Sequence, residues 1–287
     1  MIHTKLQKPK INISTDKNNK TVKKMVQESY LNTVCAEARC PNIYECWNRK
    51  TATLMILGDT CTRACGFCSV KTGKPTWNDP LEPIRVAQAV KKMGLRHVVI
   101  TSVDRDDLKG DFGASIWADT IKQTKKVNPG CTVEVLTPDF KGFEPALKIV
   151  FDSKPDIFSH NVECVERISK AVRAQANWQR SLGVLEKSIQ HGLRTKTGIM
   201  VGLGEEVEEV KKTMRQIVDL GVQIFTIGQY LQPTKNHLKV EEYISKEQFE
   251  LYKEYGYSIG FKVVESGPLV RSSYHADEQA RMVFNNG

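Results

Sequence analysis

The chain has 287 residues, 40% of them hydrophobic, which is enough for one large core or for two domains. No apolar run approaches the roughly 20 residues that cross a bilayer, and the first residues lack the apolar centre of a signal peptide. We therefore expect a cytoplasmic protein without a membrane partner. The net charge of +9 favours an acidic partner, although a single lysine run, such as residues 17–24, is also explained as a solvated helix face.

Residues 1–50 are predicted to form an N-terminal arm. The arm begins as a polar stretch rich in Lys and Asn, with only one weakly amphipathic piece around residues 22–30. Its last part carries three cysteines at spacings of five and six, namely Cys35, Cys40 and Cys46.

A second set of three cysteines follows at spacings of four and three: Cys61, Cys65 and Cys68. In a reducing compartment, cysteines clustered in this way favour metal binding over disulfides. A closed zinc or iron–sulfur site usually has four ligands. Three thiolates on a four-iron cluster leave one iron open to hold a substrate or cofactor, so this set predicts a catalytic cluster. A three-cysteine zinc site completed by a distant histidine is the alternative.

From about residue 51 the pattern alternates between short β-rich apolar runs and segments with helical spacing. The predicted strands are Thr53–Leu57, His97–Thr101, Thr132–Leu136, Asp156–Ser159, Thr195–Val201 and Gln223–Ile227. Such alternation indicates βα units that feed a parallel sheet. Six units are too few for a closed eight-fold barrel and predict an α/β fold of the TIM type, an open partial (β/α)6 barrel over residues 51–240.

The cysteines of the second set come directly after the first predicted strand, at the strand end where such folds bind their ligands. Residues 241–287 are predicted to form a C-terminal extension that closes the site. This extension contains a predicted helix, Lys246–Tyr255, and a predicted strand, Phe261–Val264.

The second cysteine set matches C-x3-C-x-aromatic-C, with Phe67 as the aromatic residue, and resembles the signature of radical S-adenosylmethionine enzymes. The resemblance implies that Cys61, Cys65 and Cys68 hold a 4Fe-4S cluster. It also implies that the amine and carboxylate of S-adenosylmethionine chelate the open iron, and that one electron from the cluster produces a 5′-deoxyadenosyl radical.

The first cysteine set resembles the auxiliary-cluster motif of the lipoyl synthase family. The segments 101–108, 160–163, 198–205 and 228–234 also resemble that family, as does the closing Arg271-Ser272-Ser273-Tyr274-His275-Ala276. The resemblance implies a second 4Fe-4S cluster on Cys35, Cys40 and Cys46 with a serine as fourth ligand, which we map to Ser273 rather than Ser272. It implies that this cluster is consumed to insert two sulfurs, at C6 and C8 of a protein-bound N6-octanoyl-lysine.

Several polar residues are expected to contact S-adenosylmethionine. Asn161 and Glu163 resemble ribose-contacting residues, and their types suit a vicinal diol, although a structural polar pair is the alternative. Thr101 or Asp104 is expected to meet the methionyl amine. Arg173 is a candidate for the carboxylate or the substrate amide, or else a surface residue.

Other residues receive subordinate roles. Gln229 and Tyr230 are expected to line the acyl site, and Arg271 to orient the tail. The remaining cysteines, Cys131 and Cys164, are predicted to be small buried residues.

The resemblance implies octanoylated lipoyl-carrier proteins as partners, namely lipoyl domains of 2-oxoacid dehydrogenases and the glycine cleavage H protein. It also implies an acidic electron donor such as flavodoxin or ferredoxin, and no nucleic acid. Two alternatives remain open: another two-cluster radical enzyme such as a tRNA methylthiotransferase, and a zinc-bearing nucleic-acid-binding protein.

Overall fold

A computed structural model describes residues 9, 32–33, 40, 42–49, 51–76 and 78–285. Cys35 therefore lies outside the described residues. In chain order the described strands are β1 (Asn32–Thr33), β2 (Ala52–Ile56), β3 (Thr60–Cys61), β4 (Lys71–Thr72), β5 (His97–Ser102), β6 (Thr132–Leu136), β7 (Ile157–Ser159), β8 (Thr195–Val201), β9 (Ile224–Gln229) and β10 (Val263–Gly267).

The helices of the described residues lie mainly between these strands. They are α1 (Ile43–Asn48), α2 (Glu82–Met93), α3 (Ala114–Val127), α4 (Glu144–Asp152), α5 (Glu166–Val172), α6 (Trp178–Gln190), α7 (Val207–Asp219), α8 (Lys246–Ile259) and α9 (Ala276–Asn285), with a 3-10 turn at Phe140–Gly142. In the part of the chain that the structure describes, no helix combines the length and apolar character needed to span a membrane.

The main sheet has the order β1-β2-β5-β6-β7-β8-β9-β10. Strands β2 and β5 to β10 are all parallel, and β1 pairs antiparallel with β2. Within the described residues no ladder joins β10 to β1 or β2, so the barrel stays open on that side. The predicted fold class, an open α/β barrel of the TIM type, is confirmed.

All six strands predicted for the barrel are present, with ends displaced by one or two residues at most. The strand predicted in the tail is also present, and as β10 it joins the same sheet parallel to β9. Strand β5 is buried at every residue except Ser102, as expected for a strand covered on both faces.

Two apolar cores hold the helices against the outside of the sheet. The first joins β2, β5 and β6 to α2, α3 and α4, and includes Leu54, Val86, Trp117 and Val133. The second joins β8, β9 and β10 to α6, α7 and α8, and includes Val201, Met214, Phe225 and Phe249. Because each helix buries its apolar face against one sheet, the carboxyl ends of the strands are left free for loops that build a site.

The last helix closes the opposite end of the barrel. Ala280 and Val283 of α9 pack with Ile157, Ile224 and Val263, which lie at the amino ends of β7, β9 and β10. The tail therefore runs from the carboxyl ends of the strands, where residue 270 lies, to their amino ends.

The barrel interior contains a buried ion pair. Lys196 Nζ of β8 lies 2.8 Å from Glu134 Oε1 of β6, and both side chains are almost completely buried. His97 Nε2 of β5 lies 3.5 Å from the other oxygen of Glu134. Glu134 and Lys196 each sit two positions before the carboxyl-end residues Leu136 and Gly198, so this ion pair lies one layer below the carboxyl ends of the strands.

Candidate active site

A cavity of about 540 Å³ opens at the carboxyl ends of the parallel strands. It collects nearly all the residues that the sequence predicts for the site. Those lining it are Cys40, Cys61, Cys65, Cys68, Thr101, Asp104, Asn161, Glu163, Arg173, Gln229, Tyr230, Arg271, Ser272 and Ser273. Cys46 is half-buried in α1 and does not line the cavity, and Cys35 is outside the described residues.

The loop with the second cysteine set is held from several sides. The short ladder of β3 with β4 and the hydrogen bond from Gly73 N–H to the Cys61 carbonyl, 2.9 Å, close the loop on itself. Gly66 donates to the Val172 carbonyl and accepts from Leu238 N–H, both at 3.0 Å. A Cβ on Gly66 would lie 2.9 Å from Leu238 Cγ, so this close approach needs glycine.

The Cys61 sulfur receives local hydrogen bonds. The backbone N–H groups of Arg63 and Asp104 approach it at 3.4 and 3.3 Å. The Asp104 carboxylate lies 3.9 Å from the same sulfur. Backbone donors stabilise a thiolate, while the nearby carboxylate opposes it.

Burial keeps the free thiols of this loop protonated. Burial, reinforced by Asp104, raises the pKa of Cys65 to about 12, and burial raises the pKa of Cys68 to about 11. A metal centre ligated by these sulfurs supplies the positive charge that displaces the protons.

The segment of the first cysteine set and the tail meet through side chains. Asn42 Nδ2 donates to the Leu269 carbonyl at 2.6 Å. Glu45 accepts from the Tyr274 hydroxyl at 3.1 Å and lies 3.0 Å from His275 Nε2. Arg49 Nη2 lies 3.1 Å from Asp277 and 2.6 Å from Glu278. These contacts bring the segment with Cys40 and Cys46 beside the segment with Ser273.

The two serines of the tail differ in their surroundings. Ser272 Oγ accepts a hydrogen bond of 2.5 Å from Asn161 Nδ2. The Ser273 hydroxyl makes no hydrogen bond within the described residues and faces the cavity. Ser273 is thus the serine with a free oxygen, and its role as a ligand stays a prediction.

A glycine lets the tail approach the sheet. A Cβ on Gly228 of β9 would collide with the Val270 carbonyl and lie 3.3 Å from Arg271 Nη1. The tail therefore rests directly on the backbone of β9 at the cavity wall. Burial raises the pKa of the Cys40 thiol, and the backbone N–H of Asn42 and the nearby Arg271 guanidinium oppose that shift.

Asn161 and Glu163 line the cavity from an irregular segment that follows β7. Strand β7 ends at Ser159, and Glu163 has a positive φ of 69°, so the two residues do not alternate along a strand. Glu163 N–H donates to the Gly198 carbonyl at 3.1 Å, which anchors the segment to β8 instead. Burial raises the pKa of the Glu163 carboxyl, and the positive charge of Arg173 opposes that shift.

Arg173 is buried, so the alternative of a surface arginine is wrong. It donates to the Asn161 carbonyl and to Ser181 Oγ, both at 3.1 Å. His160 contacts the same serine: its Nε2 lies 3.0 Å from Ser181 Oγ, and its Nδ1 lies 2.9 Å from the Thr137 carbonyl. Burial lowers the pKa of His160 to about 4, so the ring is neutral.

Sequence reasoning missed the side chain of Arg63. It lies between two predicted ligands, yet it turns away from the loop and is buried against Asp104, Asp106 and Asp139. The signal in the sequence was a charged residue placed between two cysteines of a cofactor-binding motif.

The donor set suits the predicted cofactors. Soft sulfur ligands on one wall fit iron–sulfur clusters. Buried polar atoms without a partner, Asn161 Oδ1, Arg173 Nε and Thr137 Oγ1, belong to residues that line the cavity, where a polar ligand would satisfy them.

Known proteins with related sequence and fold show which superfamily the chain belongs to. Residues 55–217 match the family model of the Radical SAM superfamily. SuiB of Streptococcus suis bound to S-adenosylmethionine has a TM-score of 0.60 and 11% identity over 90% of this chain and 58% of its own. Methylornithine synthase (PylB) has a TM-score of 0.56 and 11% identity over 90% of this chain and 84% of its own. The chain is a radical S-adenosylmethionine enzyme.

Relatives with higher sequence identity show which family within the superfamily the chain belongs to. Lipoyl synthase of Rubrobacter xylanophilus is 58% identical over 90% of this chain and 81% of its own. Lipoyl synthase of Oceanobacillus iheyensis is 53% identical over 96% and 90%, and the mitochondrial lipoyl synthase of Nematostella vectensis is 51% identical over 94% of each chain. Within the superfamily the chain belongs to the lipoyl synthase family.

Membership of this family confirms the predicted sulfurtransferase activity and the use of S-adenosylmethionine and iron–sulfur clusters. The alternatives of a tRNA methylthiotransferase and of a zinc-bearing nucleic-acid-binding protein find no support in these relatives.

Proposed function

We propose that the chain converts N6-octanoyl-lysine on a carrier protein into the lipoyl group by inserting sulfur at C6 and C8. The observation that carries this proposal is that Cys61, Cys65 and Cys68 share one cavity with Cys40 and Ser273. Two centres facing the same chamber allow an acyl chain to meet both a hydrogen-abstracting group and a sulfur source without leaving it.

The proposed ligand sets follow the two cysteine triplets. Cys61, Cys65 and Cys68 hold the cluster that binds S-adenosylmethionine, and Cys35, Cys40, Cys46 and Ser273 hold the auxiliary cluster. When bound, these groups supply the one-electron chemistry and the sulfur. The C–H bonds of an octanoyl chain are not acidic, so no side-chain base is required.

The protein itself would then bind the cofactor and the acyl chain, orient them and keep water out of the chamber. Asn161, Glu163, Thr101 and Arg173 are proposed to hold S-adenosylmethionine. Thr101 Oγ1 donates to the Leu136 carbonyl at 2.8 Å, which leaves its oxygen lone pairs toward the cavity. Gly198 and Gly228 also line the chamber, and their missing side chains leave room for Thr226 and for the Val270 carbonyl of the tail.

The wall formed by the end of β9 is proposed to hold the acyl chain. Tyr230 lines the cavity, is buried, and its hydroxyl donates to the Leu238 carbonyl at 2.7 Å. Gln229 donates to the Glu242 carbonyl at 2.9 Å and accepts from Ile244 N–H at 2.8 Å, so it fixes the loop after β9.

Three parts of the chain are proposed to share the work. Residues 1–50 carry auxiliary-cluster ligands, residues 51–240 form the barrel that binds S-adenosylmethionine, and residues 241–287 close the site and supply Ser273. The net charge of +9 supports octanoylated lipoyl-carrier proteins and an acidic flavodoxin or ferredoxin as partners, in the cytoplasm. Binding of the carrier should then weaken as salt rises.

Anaerobic turnover of an octanoyl-lysine peptide, with S-adenosylmethionine and a reductant, tests the proposal. We expect a product heavier by two sulfur atoms, and about eight iron atoms per chain before the reaction, four for each cluster. The Cys65→Ala variant serves as control and should leave the peptide unchanged. Cleavage of S-adenosylmethionine by the wild type without any sulfur in the peptide would contradict the proposal.

A further inference from the structure

The Arg63 side chain ties the cysteine loop to two neighbouring strands. Its Nε and Nη2 donate to the two oxygens of Asp106 at 2.8 and 2.9 Å, and Nη2 also donates to Asp139 at 2.7 Å. Its Nη1 lies 3.3 Å from Asp104 Oδ1. Asp104 and Asp106 follow β5, and Asp139 follows β6, so one guanidinium joins three elements at the cavity edge.

The three aspartates do not depend on Arg63 equally. Asp106 also has Lys141 Nζ at 3.8 Å, and Asp139 also has Arg180 Nη1 at 3.1 Å. Within the described residues, Arg63 supplies the one ion pair of Asp104. Without Arg63, Asp104 would therefore be the one of the three carboxylates with no cation in contact.

Asp104 is also the carboxylate that touches a predicted ligand. Its Oδ2 lies 3.9 Å from Cys61 Sγ, and its own N–H donates to that sulfur at 3.3 Å. Two unit charges about 4 Å apart interact strongly wherever water is excluded. A bare carboxylate at this position makes it harder to add an electron to a cluster bound by that sulfur, because the local charge becomes more negative.

We infer that Arg63 is a positioning residue that offsets the charge of Asp104 and thereby raises the reduction potential of the cluster bound by Cys61, Cys65 and Cys68. The inference rests on the proposed assignment of these three cysteines. It assigns Arg63 an electrostatic action through Asp104, in addition to the mechanical one of holding the loop.

A redox titration of the anaerobic holoenzyme, followed by electron paramagnetic resonance, tests the inference. The titration is done without S-adenosylmethionine, and the cluster is identified afterwards as the one whose signal changes when the cofactor is added. We expect Arg63→Gln to shift the potential of this cluster to a more negative value and to leave that of the auxiliary cluster in place.

A double variant separates electrostatics from loop packing. Arg63→Gln combined with Asp104→Asn removes both charges, and its potential should return toward that of the wild type. Loss of loop packing alone would not be repaired by Asp104→Asn. An unchanged potential in Arg63→Gln, or equal potentials in the single and double variants, would overturn the inference.

Two further variants make the result decisive. Arg180→Gln removes a cation from Asp139 without touching Asp104, and should leave the potential unchanged. Asp104→Asn alone keeps Arg63 and should shift the potential to a more positive value, which tests the inference even if Arg63→Gln fails to retain its cluster. A protein that holds no cluster at Cys61, Cys65 and Cys68 would instead refute the proposed function.

Discussion

The two cysteine triplets are held in the fold by different means. The loop of Cys61, Cys65 and Cys68 is fixed by backbone hydrogen bonds, by a short ladder and by a buried arginine. The segment of Cys40 and Cys46 is fixed by side chains of Asn42, Glu45 and Arg49, which reach across to the tail. Backbone contacts within a barrel resist change, whereas half-exposed side-chain contacts are easily exchanged.

This difference fits the different functions proposed for the two clusters. A cluster that is used again after each turnover is best held in a rigid loop. A cluster that is consumed is best held where ligands can part and rejoin. Variants of each triplet and of the barrel test this difference.

Cys65→Ala should abolish cleavage of S-adenosylmethionine, a loss of more than about a thousand-fold, because a two-cysteine loop no longer holds a cluster with one open iron. Cleavage is measured as 5′-deoxyadenosine formed under reducing, oxygen-free conditions. Cys131→Ala is the matched control, since that buried cysteine lies away from the cavity lining and should leave cleavage intact. Retained cleavage in Cys65→Ala would refute the role of the rigid loop.

Ser273→Ala should separate the two triplets, since we expect cleavage of S-adenosylmethionine to persist while sulfur transfer falls by at least about a hundred-fold. Ser272→Ala is the matched control. Its hydroxyl accepts from Asn161 and is not free to be a ligand, so sulfur transfer should survive. If Ser272→Ala abolished transfer and Ser273→Ala did not, the ligand would have to be reassigned to Ser272.

The barrel side should show a pH dependence through His160. Burial lowers the pKa of His160 to about 4, below its usual value of about 6.5. Between these values the unfolded chain binds a proton that the folded chain does not. The stabilisation is therefore complete above pH 6.5 and is lost as the pH falls toward 4. We expect the free energy of unfolding to drop by about 1.2 kcal/mol between pH 7 and 5.5 from this group.

Denaturant unfolding at a series of pH values, under oxygen-free conditions, measures the slope of the free energy of unfolding against pH. His160→Gln, which cannot titrate, should flatten it. Equal slopes in the wild type and His160→Gln would show that the His160 ring is not held neutral.

Arg49→Ala should loosen the arm without affecting the barrel. The lost contacts to Asp277 and Glu278 are partly exposed and are worth up to about 1 kcal/mol, so a chelator should strip the auxiliary cluster up to about five-fold faster. Arg167→Ala, which breaks an exposed pair with Glu209, is the matched control. Faster loss of iron from both clusters alike would contradict the contrast between the triplets.

The sequence predicts the strands and the second cysteine set well because both depend on local patterns. Unbroken β-rich runs define strands such as Thr195–Val201, and the cysteine spacing is fixed by the motif. The backbone at Glu163 could not be foreseen, because its positive φ is imposed by the pairing with β8 after β7 ends. The side chain of Arg63 was also missed, because its three carboxylate partners are 41 to 76 positions away and meet it only after the barrel forms.

The contact between Asn42 and the Leu269 carbonyl joins positions 227 residues apart. An inorganic centre bound by both Cys40 and Ser273 would act as a cross-link that closes almost the whole polypeptide into a ring. By the chain-entropy relation used for disulfides, a ring of this size lowers the conformational entropy of the unfolded chain. The folded state is thereby stabilised by about 5 kcal/mol. Each round of sulfur donation would then open the ring, so the resistance of the enzyme to heat would fall and recover with its catalytic cycle.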